Sequence, residues 1–125
     1  MNDKRPAVRY GRVVYAWMKD ARGFAKLRPA LVLTPDDLIQ KDASIVVAAI
    51  TTTFADPPPK MHVPLPWNAP GSIATKLRQR SAVVLNWRAV IKPDDVVGFG
   101  GDVPAKIMLL VESMLDEITN DPEAD

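Results

Sequence analysis

The sequence predicts an α+β, mostly β fold, in which short antiparallel strands form a small barrel and a single helix follows them. Three observations favour this fold class. Short apolar runs alternate with turns rich in proline, glycine and aspartate. An amphipathic stripe of helical period closes the chain. The 125 residues are 47% hydrophobic, enough to bury a modest core without metal or disulfide support. We therefore expect one domain over residues 1–125, with frayed ends at 1–9 and 119–125.

Five segments are predicted as strands: residues 12–17, 29–34, 44–53, 62–66 and 81–87. The third is apolar on both faces through residues 45–50, which places it in the centre of the sheet. Pro64 and Pro66 favour a sheet edge for the fourth. Residues 18–27 mix charges with a glycine and are predicted to form a mobile loop. Three consecutive prolines make residues 54–60 an extended link that does not pair.

The segment after residue 100 gives the strongest helical pattern. A turn at residues 93–95 leads through a glycine-rich stretch to Asp102, the predicted N-cap, and Pro104 falls in the first turn. The apolar residues then recur at helical spacing: Ile107, Leu110, Val111, Met114, Leu115 and Ile118. This stripe is predicted to bury against the sheet or a partner.

Composition excludes several classes of function. The chain has no cysteine and one histidine, which excludes thiolate chemistry and disfavours a histidine-rich metal site or a Ser-His-Asp triad. We expect neither a metal nor any other cofactor. The apolar runs are too short to cross a bilayer, and the N-terminus has basic residues without an apolar segment to follow them. A cytoplasmic protein without membrane contact is expected.

Charge is unevenly distributed although its net value is only +1. Residues 1–30 hold eight basic side chains against two acids, and residues 61–90 hold four basic side chains and no acid. From residue 92 onward, two lysines stand against nine acids. The pattern predicts a basic face built from the first two segments and a separate acidic C-terminus. The alternative is scattered, solvated charge.

Polar residues at the ends of two predicted strands suggest phosphodiester chemistry. Arg28 precedes Pro29 at the start of one apolar run, and Thr51 closes another. A guanidinium stays charged and its planar donors match phosphate oxygens, while a hydroxyl can orient a phosphate or a 2′-OH. The structural alternatives are a surface arginine paired with a carboxylate and threonines chosen for β-propensity.

Several segments in this order resemble the PemK/MazF family of toxins from type II toxin–antitoxin systems. They are Gly11-Arg12-Val13-Val14, Arg28-Pro29-Ala30-Leu31-Val32-Leu33, Val46-Val47-Ala48-Ala49-Ile50-Thr51, His62-Val63-Pro64-Leu65 and Ser81-Ala82-Val83-Val84-Leu85. The resemblance implies an SH3-like barrel, a two-fold homodimer, and metal-independent endoribonuclease activity on single-stranded RNA. It also implies a cognate antitoxin, with DNA contacted only through that antitoxin. The family's catalytic arginine and threonine fall on Arg28 and Thr51.

The sequence departs from the family pattern after the serine-containing strand. Many members carry an acid-Gln pair and a nearby arginine there, whereas this chain reads Asn86-Trp87-Arg88. An amide holds a hydrogen bond but carries no proton at neutral pH. Any catalytic contribution of that acid is therefore missing here.

Further side chains are candidates for RNA contact: Lys26, Thr52, Thr53, His62, Trp67, Arg78, Arg80 and Ser81. The basic ones suit phosphates, His62 suits proton transfer near neutral pH, and Trp67 suits base stacking. Trp17 and Trp87 are instead predicted to lie in the core. Solvated surface positions are the alternative for the charged candidates, and a histidine satisfied by the barrel surface is the alternative for His62.

Two other functions remain open on sequence grounds. A protein-directed inhibitor of the gyrase-poison type could use the same fold, although such proteins act through an apolar or aromatic terminal helix and this chain ends in acids. A non-catalytic barrel that binds RNA or peptide is the second, and Asn86 in place of an acid favours it.

Overall fold

A computed structural model describes residues 6–120, with side chains through residue 118. Six strands form one antiparallel sheet, and a helix follows them. The elements are β1 (Arg12–Lys19), β2 (Ala25–Val32), β3 (Ile45–Thr51), β4 (His62–Leu65), β5 (Ser81–Ile91), β6 (Gly98–Asp102) and α1 (Ala105–Asn120). Their order across the sheet is β4-β5-β3-β2-β1-β6. This confirms the α+β, mostly β class and the central place of β3. The sheet is open, not closed as a barrel, because its edge strands β4 and β6 do not pair with each other.

Alternating side chains give the sheet two buried faces. The helix face packs against α1 through residues such as Val13, Leu31 and Ile50 of the sheet and Val111 of the helix. The second face carries another cluster: Val14, Met18, Ala30, Val32, Ile45, Val47 and Ala49. Because both faces of β3 are covered, its run of apolar residues is the pattern of an interior strand.

The first two strands join in a longer hairpin than the sequence predicted. β1 and β2 pair from Val13 opposite Leu31 to Lys19 opposite Ala25. The predicted loop over residues 18–27 is therefore wrong except at its tip, where Asp20 accepts hydrogen bonds from the backbone N–H groups of Arg22 and Phe24. The turn at Gly23 adopts a φ of 87°, which glycine reaches without strain.

The strand β6 was missed because its glycines carry no side chains that could show a two-residue period. It pairs with β1 through Gly98 opposite Tyr15 and Phe99 opposite Val14. The other strand boundaries shift by several residues, and β5 runs on to Ile91 instead of ending at residue 87. A register shift between β3 and β5, after Ala48, accommodates the extra length.

The helix begins later than predicted. Asp102 lies at the end of β6 and not at the N-cap; its carboxylate instead accepts hydrogen bonds of 2.9 and 2.7 Å from the Arg9 guanidinium. The carbonyl of Pro104 accepts the first backbone hydrogen bonds of the helix, from Ile107 and Met108. The stripe is also rotated, because Met108 is buried whereas Leu110 is 58% exposed.

The N-terminal prediction needs one correction. Arg9 is buried and bidentate to Asp102, so this residue is not part of a frayed end. Tyr10 follows it and donates its phenol to Glu112 of α1. Burial, aided by that carboxylate, raises the pKa of Tyr10 above its ordinary value. The remaining predicted fraying at residues 1–5 and 121–125 lies outside the described residues.

Candidate functional site

The Arg28 side chain lies on the second face of the sheet. It lies on β2 directly opposite Ala16 of β1. Ala30, two residues further along β2, belongs to the second-face cluster, so the Arg28 side chain lies on the same face. Its guanidinium carbon lies 4.7 Å from the ring centroid of Trp87. Within residues 6–120, the buried Nε of Arg28 has no hydrogen-bond partner. A buried donor without an acceptor costs about 1–3 kcal/mol, and such costs recur at functional sites.

Thr51 ends β3 on the same face. Its side chain lies on the same side of β3 as Val47 and Ala49 of the second-face cluster, and the residue pairs with Ala82 of β5. Its hydroxyl accepts from the backbone N–H of Thr53 at 3.1 Å and lies 3.2 Å from the carbonyl oxygen of Thr53. The exposed Thr52 and Thr53 continue past the strand end. This local turn holds the Thr51 hydroxyl at the rim of the sheet.

Arg28 and Thr51 belong to strands that are neighbours in the sheet, β2 and β3. β2 and β3 pair at Ala30 with Ala49, Leu31 with Ala48 and Val32 with Val47.

Continuing that register by two residues would set Arg28 across from Thr51, although the pairing of β2 with β3 itself ends at Ala30 and Ala49. The residue of β2 next to this last pair is Pro29, which has no N–H to donate to β3. The guanidinium and the hydroxyl thus come from adjacent strands and share one face.

A cleft of about 780 Å³ opens beside Arg28's stacking partner. Its walls are the tip of the β1–β2 hairpin on one side and β5 on the other: Lys19, Asp20, Ala21, Arg22, Asn86 and Trp87. Asn86 is exposed in this cleft. Lys26 is two residues before Arg28 on β2, so it lies on the same face, where it is exposed. The cleft therefore combines an aromatic ring and an amide with two cations against one acid.

His62 lies farther from Arg28. It starts the edge strand β4, opposite Val84 of β5, and alternates with the buried Val63 of the helix face. The strand β5 separates it from Thr51, which puts the two backbones about 10 Å apart. Its Nδ1 lies 3.3 Å from the carbonyl oxygen of Lys60. The confirmed edge position of β4 leaves the ring half-buried beside Phe54.

A second, smaller pocket of about 260 Å³ collects three more candidates. Trp67 lines it and is 48% exposed. Arg80 also lines it, but its guanidinium stacks 3.7 Å from the Phe54 ring and donates to the carbonyls of Phe54 and Ala55 at 2.9 and 3.3 Å. Ser81 is buried, and its hydroxyl donates to the carbonyl of Gln79. Arg80 thus holds the chain that follows Thr51, whereas the Ser81 hydroxyl bonds within its own segment.

Arg78 lies in the long connection between β4 and β5. Its Nε donates to the carbonyl of Ala69 at 3.3 Å, and the side chain is exposed. It lines a shallow depression with Lys76, separate from the cleft beside Trp87. The structure therefore brings Arg28, Thr51 and Lys26 to one face and leaves Arg78 elsewhere.

The prediction of a core position was wrong for Trp17 and confirmed in part for Trp87. Trp17 is 61% exposed and not in the core. Trp87 packs only partly against the second-face cluster, and no local sequence pattern pairs it with Arg28. Strand alternation could have put Trp87 and Arg28 on one face only if the extent of β5 and its register shift had been known.

The described residues show neither a metal-binding cluster nor a membrane-spanning helix. Among residues 6–120, no three histidine, aspartate or glutamate side chains are grouped so that they could hold a metal ion. No helix in that part of the chain is long and apolar enough to cross a membrane.

Solved structures with this fold support the assignment of the architecture. MazF of Deinococcus radiodurans (Form-I) superposes with a TM-score of 0.70 at 16% identity, over 94% of this chain and 100% of that chain. An endoribonuclease from a mycobacterial species gives a TM-score of 0.68 at 17% identity, over 96% and 98%. The Mycobacterium tuberculosis toxin MazF-mt6 gives 0.63 at 21% identity, over 85% and 93%.

Sequence comparison identifies the family independently of these structures. No curated protein sequence matches the chain. The family model of the PemK-like, MazF-like toxins of type II toxin–antitoxin systems matches residues 9–119. That match spans every strand and nearly all of α1. The chain therefore belongs to the PemK-like, MazF-like toxin family.

Proposed function

We propose that this protein is the toxin of a toxin–antitoxin pair and an endoribonuclease that cleaves single-stranded RNA without a metal ion. The observation that carries the proposal is that Arg28 and Thr51 lie on adjacent strands, on the face of the sheet that carries the second-face cluster. Membership in a toxin family supports it. So does a shared fold with proteins described as endoribonucleases.

Arg28 supplies transition-state charge stabilisation. In the proposed reaction the 2′-OH of one nucleotide gives its proton to a base and attacks the adjacent phosphorus, and the bond to the 5′-oxygen breaks, leaving a 2′,3′-cyclic phosphate and a 5′-OH that has taken up a proton. Negative charge grows on the non-bridging oxygens during this step. A guanidinium placed there can donate two hydrogen bonds to those oxygens while it remains charged. Such a preorganised donor contributes about 3–4 kcal/mol.

Thr51 orients the reacting groups. Its hydroxyl is a hydrogen-bond donor and acceptor, and the turn with Thr53 holds it at the strand end. The hydroxyl pKa is far too high for it to act alone as the base that takes the 2′-OH proton. His62 is the candidate for proton transfer. Its strand lies beyond β5, so it serves a nucleotide next to the scissile one more readily than the phosphate held by Arg28.

The partners follow from the same face. Structures that share this fold include a complex of MazE with MazF and an endoribonuclease bound to its cognate antitoxin. We expect an acidic or amphipathic antitoxin segment to cover the cations around the cleft, where it excludes RNA. We expect a cytoplasmic homodimer, and DNA contact only through the antitoxin. Sedimentation that shows only monomer at micromolar concentration contradicts the two-subunit arrangement.

The test is cleavage of a mixed-sequence single-stranded RNA in excess EDTA. Cutting is expected with the chelator present, and each cut should leave a 2′,3′-cyclic phosphate or its hydrolysis product. The matched control is the same RNA with 2′-O-methyl groups, which removes the nucleophile and should abolish cutting while leaving binding. Cutting that EDTA stops contradicts metal independence. Binding without cutting identifies a non-catalytic RNA-binding member of the fold.

A further inference from the structure

We propose that Trp87 is a positioning residue for Arg28. The indole ring holds the guanidinium in place without consuming its hydrogen-bond donors, so that the terminal Nη–H groups, which are not buried as Nε is, remain for a phosphate. This inference rests on the proposed function, and it concerns a residue that the sequence pattern placed in the core.

The Arg28 guanidinium lies over the Trp87 ring. The Arg28 guanidinium carbon lies 4.7 Å from the Trp87 ring centroid. This is well within the range of an attractive cation–π contact, for which tryptophan is the best aromatic partner. Arg28 and Trp87 lie on different strands, β2 and β5, with β3 between them in the sheet. The ring must therefore reach across the β3 position that carries the second-face cluster.

The Arg28 guanidinium has no anionic partner among the described residues. Within the described part of the chain, no carboxylate pairs with Arg28, and its buried Nε has no acceptor. Arg9 shows the contrasting case, because its fork is bidentate to Asp102. A carboxylate neutralises the charge and occupies the donors, whereas an aromatic face does neither. The Arg28 environment is thus suited to an incoming anion, and that of Arg9 to structure.

Trp87 is itself held in place by a hydrogen bond to the β1–β2 hairpin. Its Nε1–H donates to the carbonyl of Lys19 at 3.2 Å. Lys19 ends β1 at the tip of the hairpin, and both residues line the cleft of about 780 Å³. The hydrogen bond fixes the orientation of the ring relative to the hairpin, so that the hairpin and Arg28 are linked through one side chain. Preorganisation of this kind raises the rate more than it changes substrate affinity.

The experiment compares three variants in single-stranded RNA cleavage. Trp87→Leu removes the π face, and the rate at saturating RNA is expected to fall about tenfold with KM changed by less than about twofold. Trp87→Phe keeps a π face without the indole N–H and is expected to recover most of that loss. Trp17→Leu is the matched control, because Trp17 is exposed and lies on the helix face, on the same side of β1 as Val13. This variant should cut RNA at the parent rate.

A second readout does not depend on activity. A proton above an aromatic ring resonates upfield, so the NεH signal of Arg28 in an NMR spectrum should lie upfield in the parent protein. It should return to its ordinary position in Trp87→Leu and stay unmoved in Trp17→Leu. This comparison also detects a Trp87→Leu chain that has lost its fold, because the signals of other residues would then shift as well; Trp87→Phe then carries the test.

The outcomes separate this inference from the proposed function. An ordinary NεH position in the parent protein, or a Trp87→Leu variant that cleaves at the parent rate, overturns the positioning role while the ribonuclease proposal stands. Equal losses in Trp87→Leu and Trp17→Leu also overturn it, because they indicate a general effect of removing an indole. An Arg28→Ala variant that retains full activity instead overturns the site on which both proposals depend.

Discussion

Arg28→Ala should lower the cleavage rate of single-stranded RNA by about a hundredfold to a thousandfold. The reason is that a charged donor to the non-bridging oxygens contributes about 3–4 kcal/mol in the transition state. The cleavage rate of Arg28→Lys should lie between those of the parent protein and Arg28→Ala, because an ammonium keeps the charge but lacks the planar set of donors. Single-turnover cleavage of a labelled RNA measures both variants.

Arg88→Ala is the matched control for the loss of one positive charge. Arg88 is an exposed arginine on β5, opposite Ala48 and therefore on the helix face. Its removal should weaken RNA binding at most slightly, through the general electrostatic attraction that any cation provides. Equal losses of rate in Arg28→Ala and Arg88→Ala would assign the effect of Arg28 to net charge and contradict a catalytic role.

Gly101→Ala should destabilise the fold by about 3 kcal/mol, the upper end of the usual cost of overpacking. A Cβ at Gly101 would lie 1.7 Å from the carbonyl oxygen of Ala74, and this neighbour is backbone that cannot rotate away. The N–H of Gly101 also donates to the carbonyl of Thr75 at 2.9 Å. Urea unfolding followed by circular dichroism measures the change in the free energy of unfolding.

Gly98→Ala on the same strand provides the comparison. A Cβ there meets the Tyr15 side chain at 3.5 Å, an ordinary van der Waals contact. The substitution should change stability by less than about 1 kcal/mol. If the two variants unfold at the same urea concentration, the close approach of β6 to the connection at residues 74–75 is not a packing constraint.

The apolar patterns predicted the parts of the fold that depend on burial. β3 was placed in the centre because residues 45–50 are apolar on both faces, and the structure covers both faces. The prolines at 64 and 66 correctly indicated an edge for β4. The periodic stripe predicted the helix correctly, but the helix begins after Asp102. The Asp102 carboxylate accepts from Arg9, which is distant in sequence, and does not cap the helix.

The parts that failed depend on contacts between distant segments. The β1–β2 hairpin contains exposed, charged residues such as Lys19 and Lys26, so no apolar alternation marks its outer half. Backbone pairing decides it instead. β6 consists largely of glycine, and a stretch without side chains has no period to detect.

The candidate site shows the same division. Arg28 and Thr51 were predicted as site residues because each borders an apolar run; Thr51 does end β3, whereas Arg28 lies within β2 and does not start it. Their common face follows from the pairing of Ala30 with Ala49, which the sequence does not encode locally. The stacking of Arg28 on Trp87 needed the length of β5 and its register shift, both of which arise from the assembled sheet.

A double-mutant cycle on Arg28 and Thr51 tests most directly whether the two side chains act on one phosphate. The single-turnover cleavage rates of Arg28→Ala, Thr51→Val and the double variant are compared with the parent rate, and Thr51→Ser checks that a hydroxyl alone restores function. If both groups serve the same transition state, the double variant should lose little more than Arg28→Ala alone. A double variant whose loss equals the product of the two single losses contradicts the shared site.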